Sequence, residues 1–297
     1  MLLYFDDQEE AATRLAHAAG LPARCIERHR FPDGELKLRL PAALPARAAL
    51  YRSLDQPNEK LVELLLAART ARTLGATHLT LVAPYLPYMR QDIAFSPGEA
   101  VSQRIVGPFL ASLVDAVITV DPHLHRVASL RDVVPGADTM VLTGAEVLAD
   151  WIVQRRARPV LVGPDAESAQ WIARAAARHG LDHMVCTKVR SGDRDVAVAL
   201  PGGEVSGRAV VILDDMASTG HTVAAAARLL RDAGATSIDA AVTHALFTPQ
   251  AVELMHSSGI GEVWSTDCVT HASNVVPMAG LLADALRRLQ QAHARPG

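Results

Sequence analysis

The residues best suited to chemistry follow an apolar strand pattern in the segment VVILDDMASTGHT, residues 210–222. The strand pattern ends in two adjacent acids, Asp214 and Asp215, and a loop rich in hydroxyl side chains leads into a helical stretch. Backbone N–H groups at the start of that helix, with the hydroxyls of Thr219 and Thr222, predict a site for an anion such as phosphate. Because two carboxylates repel a phosphate, they are better suited to accept hydrogen bonds from sugar hydroxyls or to hold Mg²⁺ through water. A helix cap explains one Asp but not the pair, so the segment favours a ligand with both sugar and phosphate.

A second candidate for chemistry is a pair of cations, Lys188 and Arg190. They lie two residues apart in TKVRSGDRDVAV, so an extended segment presents both on the same side. Two cations presented together suit the charge that develops on a diphosphoryl group during its transfer. Charged edge strands are common in proteins, so the pattern alone also fits a structural hairpin.

Polar residues follow three other strand patterns. VDPHLHR places His123 and His125 just beyond a buried strand, and VGPDAES places Asp165 where a helix begins. Histidines at such positions are more often structural, and Asp165 also suits a helix N-cap. FPDGELKLRL, residues 31–40, predicts a hairpin around a Pro-Asp-Gly turn.

The elements that must position these residues alternate between strand and helix along almost the whole chain. This alternation predicts an α/β fold with parallel sheets flanked by helices. The pattern restarts near residue 141, and two pairs of segments repeat: VAPYLPYMRQD with LVGPDAESAQ, and AVITVDPHLHR with AVVILDDMASTGHT. We therefore predict two similar domains, residues 1–142 and 143–297, with the last helix a candidate for packing on the first domain.

The composition excludes several classes of protein. The 297 residues are 49% hydrophobic and 21% charged, which is typical of folded domains rather than of disordered chains. A net charge of −3 argues against non-specific binding to nucleic acid. Three widely spaced cysteines exclude a disulfide framework and a cysteine zinc site, and they fit a reducing cytoplasm. Since there is no long apolar run and the N-terminus is acidic, we expect a cytoplasmic protein without a membrane partner or a signal peptide.

The loop after Asp214 and Asp215 resembles the phosphoribosyl-diphosphate motif of type I phosphoribosyltransferases and of ribose-phosphate diphosphokinases. The resemblance implies that the two acids hold the 2- and 3-hydroxyls of ribose 5-phosphate. It assigns the 5-phosphate to the loop residues Ser218, Thr219, Gly220, His221 and Thr222. His221 stands where a glycine normally lets the backbone approach the phosphate, and Ser218 stands where many members have an acid. Because a histidine with positive φ is uncommon, His221 is expected either to add a donor to the phosphate or to weaken the site.

Two segments of the first half resemble ATP-binding segments of the diphosphokinases. FPDGE implies that Phe31 stacks on the adenine bound by a neighbouring subunit, with Asp33 and Glu35 accepting from the exocyclic amine. PYLPYMRQD, which simple phosphoribosyltransferases lack, assigns ATP contacts to its last three residues, Arg90, Gln91 and Asp92. The first of these segments implies a homo-oligomer of at least two subunits.

The remaining motifs resemble the metal and catalytic segments of the same family. The resemblance assigns His123 to Mg²⁺–ATP and Asp165 to the environment of Mg²⁺ and ribose 5-phosphate. It assigns Lys188 and Arg190 to a catalytic hairpin whose SGDRD loop is a mobile flap. In VGPDAES, Glu-Ser replaces two glycines that often follow Asp-Ala in the family, which adds a negative charge near the site.

Together these motifs imply a duplicated type I phosphoribosyltransferase fold and a ribose-phosphate diphosphokinase that uses Mg²⁺. The expected reaction takes the β,γ-diphosphoryl group of ATP to the anomeric hydroxyl of ribose 5-phosphate. Its products are 5-phosphoribosyl 1-diphosphate and AMP, which feed nucleotide biosynthesis. Two alternatives stay open: a phosphoribosyltransferase, and a catalytically weak paralogue that regulates an active synthase. The chain has no GxxxxGK[ST] sequence, which argues against a Walker-type kinase.

Overall fold

The computed structural model describes residues 1–124, 126–191, 195–200 and 204–292, and only the backbone of 188–191, 195–199 and 292. The chain divides into two compact units. Unit 1 comprises Met1–Leu142 together with the segment that begins at Met278, and unit 2 comprises Thr143–Pro277. The sequence predicts a second domain that runs to residue 297, whereas the final helix belongs to unit 1.

Unit 1 contains a seven-stranded sheet. Its strands are β1 (Leu2–Phe5), β2 (Ala23–Arg30), β3 (Leu36–Arg39), β4 (Arg47–Tyr51), β5 (His78–Val82), β6 (Ala116–Val120) and β7 (Asp138–Leu142). Its first helices are α1 (Glu9–Ala19), α2 (Pro57–Thr73), α3 (Ser102–Ala111) and α4 (Leu130–Val133). In the order β3-β2-β1-β4-β5-β6-β7 all neighbours are parallel except β2 and β3, which form an antiparallel hairpin. Strands β1 and β6 are buried along their whole length because they are almost entirely apolar, as strands with both faces covered must be.

Unit 2 contains a six-stranded parallel sheet and a separate hairpin. Its strands are β8 (Val160–Gly163), β9 (His183–Val185), β10 (Thr187–Ser191), β11 (Asp195–Ala199), β12 (Ala209–Ala217), β13 (Ser237–Ala245), β14 (Val263–Thr266) and β15 (Asn274–Val276). Its helices are α5 (Ala145–Val153), α6 (Ala169–His179), α7 (His221–Asp232) and α8 (Pro249–Ser257). The sheet has the order β15-β14-β13-β12-β8-β9, and β10 pairs with β11 in the antiparallel hairpin.

The last helix, α9 (Ala279–Ala292), completes unit 1 by packing on α1. Its Leu282 and Leu286 are buried, and Arg287 Nη1 donates to the carbonyl oxygen of Ala18 at 2.8 Å. In unit 2, α5 packs on α6, the helix that follows β8. In unit 1, α9 therefore packs on the helix that follows β1, just as α5 in unit 2 packs on the helix that follows β8.

The parallel strands of the two sheets follow the same order, which confirms the predicted duplicated α/β fold. Unit 1 has β2-β1-β4-β5-β6-β7, and unit 2 has β9-β8-β12-β13-β14-β15. Accordingly β1 corresponds to β8, β4 to β12, and β5 to β13. The segment pairs predicted from the sequence are wrong. VAPYLPYMRQD begins at the end of β5, whereas LVGPDAESAQ begins in β8, whose counterpart in unit 1 is β1. An apolar run that ends in a polar loop is common to all parallel strands, so this likeness does not identify corresponding strands.

Across the part of the chain that the structure describes, no helix combines the length and the apolar character needed to cross a lipid bilayer.

Candidate active site

Three acids lie at one edge of the sheet in unit 2. Asp214 and Asp215 occupy the carboxyl-terminal part of β12, and Asp165 comes two residues after the neighbouring strand β8. Ligands of open parallel sheets bind outside the carboxyl ends of the strands, so this edge is the expected position for a site.

The carboxyl group of Asp214 lies in a strongly negative environment. Its desolvation, followed by the charges of Asp215 and Asp165, raises the pKa of Asp214 well above its usual range. The N–H of Asp215 donates to Asp214 Oδ1 at 3.0 Å, and no described residue forms an ion pair with Asp214. A ligand that donates hydrogen bonds or brings positive charge is therefore favoured at this edge.

The loop between β12 and α7 turns at Gly220. Gly220 has a φ of 73°, and a Cβ there would lie 3.1 Å from the carbonyl oxygen of Ala251 and 3.3 Å from Met255 Cγ. Only glycine suits this left-handed and crowded position. His221 begins α7, is exposed and has no positive φ, so the expectation of a strained histidine is wrong.

The other residues of this loop are accessible. Ser218 and Thr222 are partly exposed, and Thr219 is exposed. Together with the N–H groups of the first turn of α7, their hydroxyls provide donors for an anion. One strand–loop–helix segment therefore carries both the acid pair and the anion donors.

Asp165 caps a single 3₁₀ turn, Ala166–Ser168. Its side chain accepts from the N–H of Glu167 at 3.0 Å, and Ser168 Oγ donates to the carbonyl oxygen of Asp165 at 2.6 Å. Ser168 is fully buried, and a Cβ on Gly163 would lie 2.2 Å from Ser168 Oγ. Ser168 therefore builds the turn that holds Asp165, whereas Glu167 is exposed.

The acids fit partial coordination of Mg²⁺ rather than a closed cage. Within the described ranges, no three or more His, Cys, Asp or Glu side chains form a group that could hold a metal ion. Proteins that bind Mg²⁺ with phosphates usually supply one or two carboxylates, and substrate oxygens and waters complete the octahedron. The carboxyl groups of Asp165, Asp214 and Asp215 lie near one another and make this edge of the sheet in unit 2 negative, which suits such coordination.

The predicted catalytic cations belong to the β10–β11 hairpin. Lys188 pairs with Val198 and Arg190 pairs with Val196. The side chains of Lys188 and Arg190 lie outside the described residues, and so do residues 192–194 of the predicted flap.

In unit 1, Phe31 lies at the tip of the β2–β3 hairpin. The hairpin closes through the N–H of Phe31, which donates to the carbonyl oxygen of Glu35 at 2.8 Å. The N–H of Glu35 donates to Asp33 Oδ1 at 3.1 Å, so one of the two predicted acids stabilises the turn. Phe31 is 38% exposed, and the ring of His29 meets it edge-on with centroids 4.8 Å apart. The hairpin therefore presents an aromatic face at the surface of unit 1.

The Arg-Gln-Asp run follows β5, and its three side chains differ in exposure. Arg90 and Gln91 are exposed, and Gln91 Oε1 accepts from Ser102 Oγ at 2.6 Å. Asp92 is buried, and its Oδ1 accepts from Arg126 Nη1 at 2.8 Å. Arg90 and Gln91 are thus accessible to a ligand, whereas Asp92 holds Arg126.

His123 lies in the loop after β6. It is partly exposed and follows Asp121, a buried residue with a φ of 37°. Since β5 and β6 are parallel neighbours, the loops that carry Arg90 and His123 begin at the same edge of the sheet. His125 lies outside the described residues.

Sequence reasoning missed Gly163 and Arg126. A glycine that ends a buried strand just before Pro-Asp is a recognisable sign of close packing, and it could have indicated the Ser168 turn. Arg126 had no such signal, because Asp92 is 34 residues away in the chain.

Comparisons with known proteins agree with this geometry. Residues 1–113 match the N-terminal domain of ribose phosphate pyrophosphokinase, and residues 139–263 match the phosphoribosyl transferase domain. The ribose-phosphate pyrophosphokinase of Methanopyrus kandleri is 34% identical over 93% of this chain and 94% of that protein. Ribose-phosphate pyrophosphokinase 2 of Archaeoglobus fulgidus is 35% identical over 92% of this chain and 95% of that protein.

A solved structure supports the fold independently. The phosphoribosylpyrophosphate synthetase from Mycobacterium smegmatis superposes with a TM-score of 0.84 and 24% identity, covering 98% of this chain and 99% of that chain. The shared fold confirms the predicted two-domain α/β architecture, and the sequence matches confirm the resemblance on which the motif assignments rest. The chain belongs to the ribose-phosphate pyrophosphokinase family.

Proposed function

We propose that this protein transfers the β,γ-diphosphoryl group of ATP to the anomeric hydroxyl of ribose 5-phosphate. The products are 5-phosphoribosyl 1-diphosphate, a precursor for nucleotide biosynthesis, and AMP. The main observation behind the proposal is one segment of unit 2. In it, the acid pair of β12 is followed by a loop that turns at Gly220 and offers hydrogen-bond donors to an anion. Membership of the family supports the same reaction.

Ribose 5-phosphate binds in unit 2. Asp214 and Asp215 accept hydrogen bonds from the 2- and 3-hydroxyls, which relieves the mutual repulsion of the acids. The hydroxyls and N–H groups of residues 218–222 hold the 5-phosphate, and the positive end of α7 favours its charge. His221, exposed at the start of α7, adds a further donor to this phosphate.

ATP binds to residues of unit 1. Arg90 and Gln91 contact the nucleotide, and Phe31 stacks on the adenine bound by a neighbouring subunit, with Asp33 and Glu35 accepting from its amine. The exposure of the Phe31 hairpin supports this role, since the ring is accessible to a second molecule. The active enzyme is accordingly a homo-oligomer of at least two subunits.

Mg²⁺ is the proposed cofactor. His123 of unit 1 would hold Mg²⁺–ATP, and Asp165 of unit 2 would belong to the environment of Mg²⁺ and ribose 5-phosphate, where the neighbouring acids fit the charge of the ion. When bound, the ion would neutralise charge on the phosphates of ATP and ribose 5-phosphate. Asp165 suits this role because Glu167 and Ser168 fix its turn through hydrogen bonds.

Catalysis depends mainly on positioning and electrostatics. The anomeric oxygen forms a bond to the β-phosphorus while the bond from that phosphorus to the oxygen bridging it to the α-phosphorus breaks. AMP leaves with the bridging oxygen, and the hydroxyl proton passes to solvent. Lys188 and Arg190 stabilise the charge on the group in transfer.

The test is an assay with ATP, Mg²⁺ and ribose 5-phosphate in which AMP and 5-phosphoribosyl 1-diphosphate are both quantified by mass spectrometry. We expect equal amounts of the two products and their loss in Lys188→Ala. Arg131→Gln, which removes an exposed positive charge of unit 1, is the control and should keep its activity. Binding of ribose 5-phosphate or ATP without any product would contradict the proposal and favour a regulatory paralogue.

A cytoplasmic location belongs to the same proposal. Cys25, Cys186 and Cys268 are all free thiols, as expected in a reducing compartment.

A further inference from the structure

Arg126 and Asp92 connect two loops at the carboxyl edge of the sheet in unit 1. Asp92 lies on the loop after β5, and Arg126 lies on the loop after β6, three residues beyond His123. The bond of 2.8 Å from Arg126 Nη1 to Asp92 Oδ1 ties the loops together across 34 residues of sequence. The pair therefore lies among the loops that carry Arg90 and His123.

The two partners differ sharply in exposure. The side chain of Asp92 is 1% exposed and that of Arg126 is 55% exposed. Asp92 Oδ2 is buried and accepts no hydrogen bond from a described residue. A buried carboxylate with one donor is costly to the fold, so the pair is poorly explained as a device for stability.

Arg126 keeps most of its hydrogen-bonding capacity for a ligand. A guanidinium has five N–H donors, and the described contacts of Arg126 use only the one to Asp92. Two neighbouring N–H donors of a guanidinium match two oxygens of a phosphate, and the buried carboxylate of Asp92 fixes the orientation of the guanidinium.

We propose that Arg126 binds phosphate oxygens of ATP and that Asp92 is a positioning residue for Arg126. This inference rests on the proposed function, since it names a further residue of the ATP site. It also reassigns Asp92, which acts through Arg126 rather than by touching ATP.

The first test measures Arg126→Gln, Arg126→Lys and the matched control Arg131→Gln, which removes one exposed positive charge from the same segment. We expect Arg126→Gln to raise the KM for ATP about 10- to 100-fold while the KM for ribose 5-phosphate changes less than about twofold. Arg126→Lys should raise the KM for ATP less than Arg126→Gln, because lysine keeps the positive charge but not the paired N–H donors of the guanidinium. Equal KM values for ATP in Arg126→Gln and Arg131→Gln would overturn the proposal.

The second test separates positioning by Asp92 from a purely structural role. Asp92→Asn keeps the shape of the side chain and weakens its hold on Arg126, so the KM for ATP should rise in the wild-type background but not further in Arg126→Gln. Independent effects that add in the double variant would overturn the positioning role. Thermal melting of each variant identifies losses due to unfolding.

Binding of a non-hydrolysable ATP analogue, measured by calorimetry, keeps this inference distinct from the proposed reaction. If wild-type protein makes no 5-phosphoribosyl 1-diphosphate but binds the analogue, the proposed reaction fails, and weaker binding by Arg126→Gln still supports the inference. Unchanged binding by Arg126→Gln overturns the inference alone, and no binding by wild-type protein overturns both.

Discussion

The corresponding strands β4 and β12 end in opposite charge environments. After β4, the buried Arg52 donates to both carboxylate oxygens of Asp7, at 2.7 and 2.8 Å, and also to Glu63. Glu63 is 0% exposed and accepts a second bond from Arg28. At the end of β12, Asp214 instead faces further acids, and its pKa is raised by burial and by Asp215 and Asp165.

The two strand ends differ in whether their charges are balanced by opposite charges of the protein. In unit 1 the charges at the end of β4 are satisfied by the protein's own side chains, and Arg52 lies 4.5 Å over the ring of Phe5. In unit 2, by contrast, Asp214 near the end of β12 is buried beside the acids Asp215 and Asp165. This contrast supports placing the proposed sugar-phosphate site in unit 2.

The largest effect is expected when the acid pair of β12 is neutralised. The double variant Asp214→Asn/Asp215→Asn should lower kcat/KM for ribose 5-phosphate by about 10²–10⁴-fold, since each lost charged hydrogen bond contributes about 1.5–3 kcal/mol. The melting temperature should stay level or rise, because repulsion between the acids is relieved. Asp232→Asn, an exposed acid in the same unit, is the control. Normal kinetics together with a lower melting temperature would mean that the acid pair is structural.

The second change concerns the paired charges at the end of β4 in unit 1. Glu63→Gln removes one of the two carboxylates that pair with the buried Arg52, so Asp7 alone balances its charge, and unit 1 should be destabilised by about 1.5–3 kcal/mol. Trp151, Trp171 and Trp264 all lie in unit 2, so tryptophan fluorescence reports unit 2 alone. The urea transition should shift strongly by circular dichroism and less by tryptophan fluorescence. Glu10→Gln, at an exposed helical pair with Arg14, should change stability by less than about 0.5 kcal/mol.

A third change concerns the corresponding strands β1 and β8. β1 ends at Phe5, which supports Arg52, whereas β8 ends at Gly163, which makes room for Ser168. Gly163→Ala should destabilise unit 2 by about 1–3 kcal/mol through overpacking, followed by tryptophan fluorescence in urea. Adding Ser168→Ala removes the clashing oxygen and should restore part of the loss. A double variant less stable than Gly163→Ala would contradict this packing.

The smallest effect concerns the acid stability of unit 2. Arg178, together with His179, holds the pKa of Asp150 below its usual range, against the effect of partial burial. Because the pKa is lowered by folding, the contribution is present above the unfolded value of about 3.9 and is lost as pH falls through the folded value. Asp150→Asn should therefore lower stability by up to about 1 kcal/mol at pH 7 and have little effect near pH 2. Tryptophan fluorescence in urea at the two pH values measures this; an equal loss at both would exclude the charge effect.

The sequence predicts local features of this protein better than its long-range contacts. The strand, acid pair and anion loop of residues 210–222 are contiguous, so one pattern indicates all of them. The Ser168 turn is hidden because it depends on a glycine at the end of the preceding strand. The bond between Arg126 and Asp92, like that between Arg52 and Asp7, joins residues that follow neighbouring parallel strands and lie far apart in the sequence. The positions of Lys188 and Arg190 relative to any substrate remain predictions.

The packing of α9 on α1 has a consequence for biosynthesis. Unit 2 is one continuous stretch of chain inserted between two parts of unit 1. During translation, unit 2 has all of its residues before the ribosome has made the helix that covers α1. Domains generally fold as their sequences emerge. Unit 1, which is the first to be synthesised, is therefore expected to be the last to be complete, because it needs α9. A nascent chain that lacks α9 would expose the buried face of α1, and chaperones should recognise this intermediate before release.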